Sequence, residues 1–230
     1  MRVLVTGATG YIGGRLIPQL LDRGHEVRVL VRHPERVSER SWADRVQIHP
    51  GDATDPVALG EAMSGMDGAY YLMHSLTAGH GFEDQERAMA TTFARAAEQA
   101  GVRRIVYLGG MVPDVPSRKL SAHLRSRAEV GKIRRASTVP TIELRAGVII
   151  GSGSASFEML RYLTERLPVM VTPRWVKTRT QPIAVRDVLY YLVGAMEYDG
   201  EVNRAYDIGG PDVTTYAGMM HGFASVAGLP

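Results

Sequence analysis

Three evenly spaced glycines, Gly7, Gly10 and Gly13, are the first residues in this chain whose type and spacing could do chemistry. They stand in the run Thr6-Gly7-Ala8-Thr9-Gly10-Tyr11-Ile12-Gly13, between the apolar stretch Val3–Val5 and a segment of helical period. A strand that turns through glycines into a helix makes a phosphate cradle. Glycine permits the tight turn and a close approach of backbone to a pyrophosphate, and the last glycine lets helix pack on strand. The helix N-terminus adds free N–H groups and the positive end of its dipole. Gly7, Thr9, Gly10, Tyr11, Ile12 and Gly13 are therefore candidate ligands of a dinucleotide. A glycine-rich turn with no ligand is the plain alternative, and the strand–turn–helix context weighs against it.

The second apolar run, Val27–Val31, ends on Arg32. A carboxylate at that place would accept a hydrogen bond from a ribose 2′-hydroxyl, whereas an arginine pairs bidentately with a 2′-phosphate. Arg36 lies one turn further and could be a second clamp. The expected cofactor is NADP(H).

These groups need a scaffold, and the chain supplies an alternating one. Short apolar runs near 2–6, 26–32, 45–49, 69–73, 104–109 and 141–147 read as strands, with a weaker one near 205–208. Helical-period segments at 11–23, 56–64, 82–100, 122–137 and 187–198 lie between them. Strands apolar on both faces and alternating with helices imply an α/β fold: a doubly wound parallel sheet with right-handed crossovers. In the first helix Ile12, Leu16 and Leu20 share a face, Gly24 closes it, and Pro18 removes one backbone bond and should bend it. From 151 to 182 the alternation breaks into a Gly-, Ser- and Pro-rich stretch with one amphipathic segment, Phe157–Arg166. Residues 1–150 are thus expected to form the nucleotide-binding core. Residues 151–230 are expected to form a small C-terminal substrate lobe, interleaved with the last strands and helices of the same domain. The final segment reads as a Thr-capped helix ending at Gly228.

Composition narrows the function. The 230 residues are 45% hydrophobic and 22% charged, an ordinary globular balance. A net charge of +3 without a block of five like charges gives little basis for nucleic-acid binding. The absence of cysteine excludes disulfides, thiolate catalysis and cysteine metal sites, and the seven histidines form no His-Glu-x-x-His pair, so no metal is expected. The chain opens directly on its first apolar strand, with no basic segment leading into an apolar one, and has no apolar run of membrane-spanning length. The expectation is a cytoplasmic protein that does not insert into membranes.

The loop Thr6–Gly13 resembles the cofactor loop of extended and atypical short-chain dehydrogenases/reductases, a superfamily that includes NmrA-like proteins and nucleotide-sugar epimerases. Gly51-Asp52-Ala53-Thr54-Asp55, Arg104–Gly110, Leu144–Gly147, Gln181–Val188 and Tyr206–Gly210 resemble further segments of that superfamily in the same order. The resemblance implies a Rossmann fold, and it implies that Asp52 and Ala53 meet the adenine while Met73 and His74 pass the nicotinamide ribose. A turn or cap role is the alternative for Asp52, and Asp55 before Pro56 reads as a helix cap.

The superfamily's usual Tyr-x-x-x-Lys pair does not occur here. By position, His123 replaces the tyrosine and Arg127 the lysine, while Gly110 and Met111 lie where the usual serine would be. This departure argues against an ordinary alcohol dehydrogenase and against a sugar epimerase. Either His123 is a general acid/base with Arg127 at the cofactor ribose, or no protein acid is used; the alternative for His123 is a helix-surface residue. Met73, Met111, Val112, Phe157 and Trp175 are candidate apolar liners of the substrate pocket, and Arg145, Arg174 and Arg179 could meet an anionic group. The reading is an NADPH-dependent oxidoreductase acting on a small molecule, a hydrophobic carbonyl or quinone-like compound. The alternative is a non-catalytic NADP(H) sensor, for which alone a protein partner enters.

Overall fold

The structure, a computed structural model, describes residues 1–73, 81–113, 115–116, 120–166, 174–200 and 202–229. In chain order the elements are β1 (Arg2–Thr6), α1 (Gly13–Asp22), β2 (Glu26–Val31), α2 (Glu35–Ser38), β3 (Gln47–Pro50), α3 (Pro56–Met63), β4 (Gly68–Tyr71), α4 (Phe82–Gln99), β5 (Arg104–Gly110), α5 (Ala122–Arg135) and β6 (Thr141–Ala146). There follow β7 (Ile149–Ile150), α6 (Ala155–Arg166), β8 (Arg179–Thr180), β9 (Ile183–Ala184), α7 (Val185–Glu197), β10 (Arg204–Ile208), β11 (Thr214–Thr215) and α8 (Tyr216–Ala227).

Among the described residues, seven strands form one sheet in the order β10-β6-β5-β4-β1-β2-β3. β1 pairs in parallel with β2 (Val3 opposite Val27) and with β4 (Val3 opposite Gly68), and β2–β3 and β4–β5 are parallel as well. The chain thus winds outward from β1 in one direction, returns to β4 and winds outward in the other. The expected doubly wound architecture is present, and its topological switch point lies between β1 and β4.

Two compact units make up the chain. The first comprises Met1–Arg145 and Leu189–Tyr206, the second Ala146–Val188 and Asp207–Pro230. In the first, Val3, Leu4 and Val5 are fully buried, as expected for a central strand covered on both faces. Alternate residues serve the two faces. Leu4, Ala69, Tyr71, Ile105 and Tyr107 pack in one cluster with Leu59 and Met63 of α3, Phe93 and Ala97 of α4, and Val130 of α5. On the other face α1 buries Leu16, Ile17 and Leu20, and the residues of α7 in this unit bury Leu192, Val193 and Met196. Tyr70 of β4 is tied to this α7 segment by its hydroxyl, which donates to Leu192 O at 3.1 Å.

Helix α1 begins at Gly13, two residues later than its periodicity predicts, because Gly10 N–H closes a turn on Gly7 O at 3.0 Å. Pro18 lies inside it, and the carbonyl that Pro18 cannot bond, Gly14 O, instead accepts the Trp42 indole N–H at 3.2 Å. Strand β3 starts at Gln47 rather than near 45, because Ala43–Arg45 forms a 3₁₀ turn.

In the second unit, Leu160 of α6, Val176 and Met220 of α8 form a small core, with Leu163, Tyr216, Met219 and Phe223 packed against it. β7 pairs with β9 in parallel, and β8 with β11 antiparallel. Thr215 caps α8 by accepting Gly218 N–H at 3.1 Å, and Gly228, at φ +65°, closes the helix as the sequence predicts.

Candidate functional site: the cleft at the switch point

The loop after β1 is built by exclusion of side chains. Thr6 ends the strand and donates through Oγ1 to Tyr70 O at 2.8 Å, which fixes β1 against β4. Gly7 then takes φ +74°, and a Cβ there would stand 2.7 Å from Leu72 O. A Cβ on Gly10 would be 3.1 Å from Gly7 O, and one on Gly13 would come closer than that to the same oxygen and within 2.9 Å of Gly7 C. A Cβ has no room on Gly7 or Gly13, and one on Gly10 is tight against Gly7 O. No side chain caps the N-terminus of α1, and its first turn carries no acidic residue. Gly14 N–H and Arg15 N–H bond to Gly10 O and Ile12 O (3.0 Å each), and the helix turns the positive end of its dipole to the loop, a setting that suits an anion.

This loop is one wall of a cleft of about 480 Å³, a size usual for ligand sites. Gly7, Thr9 and Gly10 of the loop line it together with Arg32 and Arg36 after β2, Asp52 and Ala53 after β3, and Met73 after β4. The structure thus brings together eight of the residues expected to bind cofactor. It does not bring Tyr11, Ile12 or Gly13 to the cleft wall. The Tyr11 ring lies under the Arg15 guanidinium (4.0 Å), Ile12 is the N-cap of α1, and Gly13 is the packing contact just described. His74 lies outside the described residues.

Asp52 does two things. Its Oδ1 accepts Thr54 N–H (2.8 Å) and the Thr54 hydroxyl (2.9 Å), the turn role weighed from sequence, while Oδ2 stands 3.9 Å from Arg32 Nη1. The Thr54 backbone N–H, helped by the Thr54 hydroxyl and the Arg32 charge, holds the carboxyl below its ordinary value against the opposing effect of burial. Asp55 is the N-cap of α3, accepting Val57 N–H at 2.9 Å.

One residue here escaped the sequence reading. Arg40 Nη2 donates to Thr9 O at 3.2 Å, so a third guanidinium stands at the phosphate loop. Thr9, Arg36, Glu39 and Arg40 bound a recess beside the main cleft. The signal was present as arginines at 32, 36 and 40, four residues apart, followed by a tryptophan that anchors the segment on Gly14.

His123 and Arg127 lie one turn apart on α5, whose N-cap Ser121 accepts Leu124 N–H at 3.3 Å. The imidazole stacks on Phe82 of α4 (centroids 6.3 Å, 15° between planes). Burial and then the Arg127 charge push it below its ordinary 6.5, with Glu86 opposing. Arg127 reaches the end of β5, where a Cβ on Gly110 would stand 3.2 Å from its Nη1, and its buried Nε has no hydrogen-bond partner among the described residues. Glu86 and Ser126, both buried, bond across from α4 to α5. Of the other candidates, Arg145 is paired with the buried Glu143 (2.9 Å) rather than free for an anion. Phe157 packs edge-on against Phe223 within the second unit (5.9 Å). The side chains of Arg174 and Trp175 lie outside the description.

A family model described as NAD(P)H-binding matches residues 7–146. The chain belongs to that NAD(P)H-binding family. Its relatives include the (4-alkanoyl-5-oxo-2,5-dihydrofuran-3-yl)methyl phosphate reductase of Streptomyces griseus, 30% identical over 99% of this chain and 74% of the relative. They also include the 3-diazoavenalumate denitrifying reductase of a Streptomyces species, 33% identical over 86% of this chain and 72% of the relative. Among solved structures, the Bordetella bronchiseptica enzyme WbmG in complex with NAD and UDP has the same fold, with a TM-score of 0.81 at 18% identity over the whole of this chain and 79% of that one. The resemblance to extended and atypical short-chain dehydrogenases/reductases is thereby borne out, as is the expectation of an NAD(P)H-dependent oxidoreductase. The glycine cradle and the uncapped helix fit such a cofactor. Gly7 and Gly10 with the α1 N-terminus would hold its pyrophosphate, and Asp52 with Ala53 flank the side expected to take the adenosine. No helix among the described residues is long and apolar enough to cross a membrane.

Proposed function

We propose that the protein is an NADPH-dependent reductase of a hydrophobic carbonyl or quinone-like small molecule. The observation that carries the cofactor choice is the cationic end of the cleft. Arg32 and Arg36 line it, Arg40 sits on Thr9 O beside it, and the end of β2 carries no carboxylate. Guanidinium groups meet a phosphate dianion with charge-assisted, bidentate hydrogen bonds, and the 2′-phosphate on the adenosine ribose is what distinguishes NADPH from NADH. Glu39 is the acid within the recess and Asp52 the acid beside Arg32, and the three arginines outnumber them.

When bound, the reduced nicotinamide supplies a hydride to an electrophilic carbon of the acceptor. The chain's own part is to hold, orient and, at His123, exchange a proton. Arg127, in the position of the superfamily's lysine, is assigned to the cofactor ribose. The names of the two Streptomyces relatives support reduction as the reaction type. The second unit (Ala146–Val188 and Asp207–Pro230) is assigned to the substrate.

The test is calorimetric titration of the protein and of Arg32→Ala/Arg40→Ala with NADPH and NADH. Each lost charge-assisted contact at these exposed positions is worth about 1 kcal/mol, so the double variant should lose roughly tenfold or more in NADPH affinity and little in NADH affinity. Equal affinities for the two cofactors in the unaltered protein would overturn the cofactor assignment. Failure to oxidise NADPH with any of a panel of quinones and conjugated carbonyls, in protein that binds NADPH, would overturn the reductase.

A further inference from the structure

A second concavity lies in the first unit and shares no residue with the nucleotide cleft. It is a groove of about 450 Å³, floored by Ile142 and Leu144 of β6 and walled by Tyr190, Tyr191, Tyr198 and Tyr206. All four tyrosines are exposed, Tyr190 at 68% and Tyr198 at 55%. Tyr190 and Tyr191 meet edge to face at 5.8 Å. The rim at Tyr198 is held in place from below. Arg104 donates to the carbonyls of Ala195, Met196 and Tyr198 at the end of α7 and to Gly200 O at 2.6 Å, and a Cβ on Gly200 would collide with the Tyr198 ring.

Gly194 leaves the groove open on the α7 side. It lies within α7, lines the groove and is exposed. A Cβ built on it meets no atom within 4 Å, so nothing in the chain's own packing demands a glycine. Glycine inside a helix is unfavourable relative to alanine, and close approach of a ligand is one of the reasons to keep it. The charge state of the groove selects the ligand. Its ionised side chains, Arg23 and Glu197, are paired with each other at 3.2 Å, and Glu197 also receives the buried His25 at 3.1 Å. They satisfy one another and call for no counter-charge from a guest. Four tyrosines supply flat faces for stacking and hydroxyls at the rim, over an aliphatic floor.

We propose that this groove is a second small-molecule site and takes a neutral, flat, hydroxylated aromatic compound. The proposal is independent of the cofactor assignment and of the reaction at the cleft.

The test uses 2-naphthol as the probe, with the full chain observed by tyrosine-region fluorescence and by calorimetry, and with 2-naphthalenesulfonate as the charged counterpart. Naphthol should bind saturably at one site and the sulfonate at least tenfold more weakly. Gly194→Leu fills the groove and should weaken naphthol at least tenfold while leaving NADPH titration unchanged. Tyr190→Ser, at a highly exposed position that leaves the core untouched, should weaken it several-fold should the leucine variant fail to fold. Naphthol binding that both variants leave intact, or no saturable binding, would overturn the proposal. Sedimentation decides the main competitor: a wild-type dimer that Gly194→Leu dissociates would assign the groove to a second copy of the chain and likewise overturn it.

Discussion

Replacing Gly13 with alanine isolates the packing on which the phosphate cradle depends. The added methyl carbon would lie 2.9 Å from Gly7 C and 3.0 Å from Ala8 Cα, and nearer still to Gly7 O. Carbon atoms rest at about 3.5–4.0 Å, so α1 must withdraw from the loop by about 1 Å. A shift of that size carries the N–H groups at the start of the helix out of the 2.7–3.2 Å range in which such donors bond. Loss of one bond to a charged phosphate, about 1.5–3 kcal/mol, weakens NADPH roughly 10- to 150-fold. The overpacking itself costs about 1–3 kcal/mol, a fall in Tm of about 2–12 °C for a chain of this size. The control is Gly14→Ala one residue on, where the nearest atoms are Ala8 O at 3.5 Å and Arg40 Nη1 at 3.9 Å. That change should leave affinity unaltered and should hold or raise Tm, because alanine is the better helix former by up to about 1 kcal/mol. Calorimetry with NADPH and a thermal melt of both variants complete the experiment. If Gly13→Ala binds and melts like the unaltered protein, the account of the triplet as a set of required close approaches is wrong.

Other outcomes can be stated in advance. Arg134 is fully buried, its guanidinium 3.3 Å from the Tyr71 ring centre and 4.7 Å from that of Phe93. Arg134→Ala should cost about 2–5 kcal/mol in urea unfolding by opening a cavity, and Arg134→Met, which keeps the stem and removes the desolvated charge, should cost much less; equal losses would contradict this. If His123 gives the proton, turnover should fall as pH rises through a value below 6.5, because burial and Arg127 favour its neutral form, and His123→Asn should flatten that limb. An unchanged profile would remove His123 from the mechanism. The Arg2 backbone N–H, which Asp67 accepts at 2.7 Å, holds its pKa below 3.8 against desolvation, helped by the Arg103 charge. A depressed folded pKa contributes stability that is present above the unfolded value and lost as pH falls through the folded one. Asp67→Asn should therefore lower Tm at pH 7 and shrink the loss seen in melts taken below pH 3.8; an equal Tm deficit at both pH values would contradict the linkage.

Strand and helix order was legible because both faces of β1, β2, β4 and β5 are covered, so each reads as a continuous apolar run with a helical-period segment after it. The phosphate loop was legible because its requirement is steric and glycine alone meets it. Less visible were features set by who meets whom across the chain. Arg134 follows Lys132 and precedes Arg135, and that basic turn reads from sequence as a solvated helix end, yet three rings from β4, α4 and β5 close over it. Arg40 sits beyond a helix of only four residues, too short to announce itself by period. Pro18 reads as a defect until Trp42, 24 residues on, takes up the carbonyl it leaves open. The tyrosines of α7 read as part of an amphipathic helix, and the direction in which their rings stand is a tertiary fact.

The first unit is interrupted in sequence. Its last cover, Leu189–Tyr206, is made after the whole of Ala146–Val188 has been threaded out and back. Until that piece arrives, the Tyr70 hydroxyl has no Leu192 carbonyl to meet, and Arg104, already in β5, has no helix end to hold. A ribosome that has released residues 1–145 therefore carries six strands of the large sheet with one face only partly closed. That face is completed only once the insertion and the Leu189–Tyr206 segment after it have been synthesised.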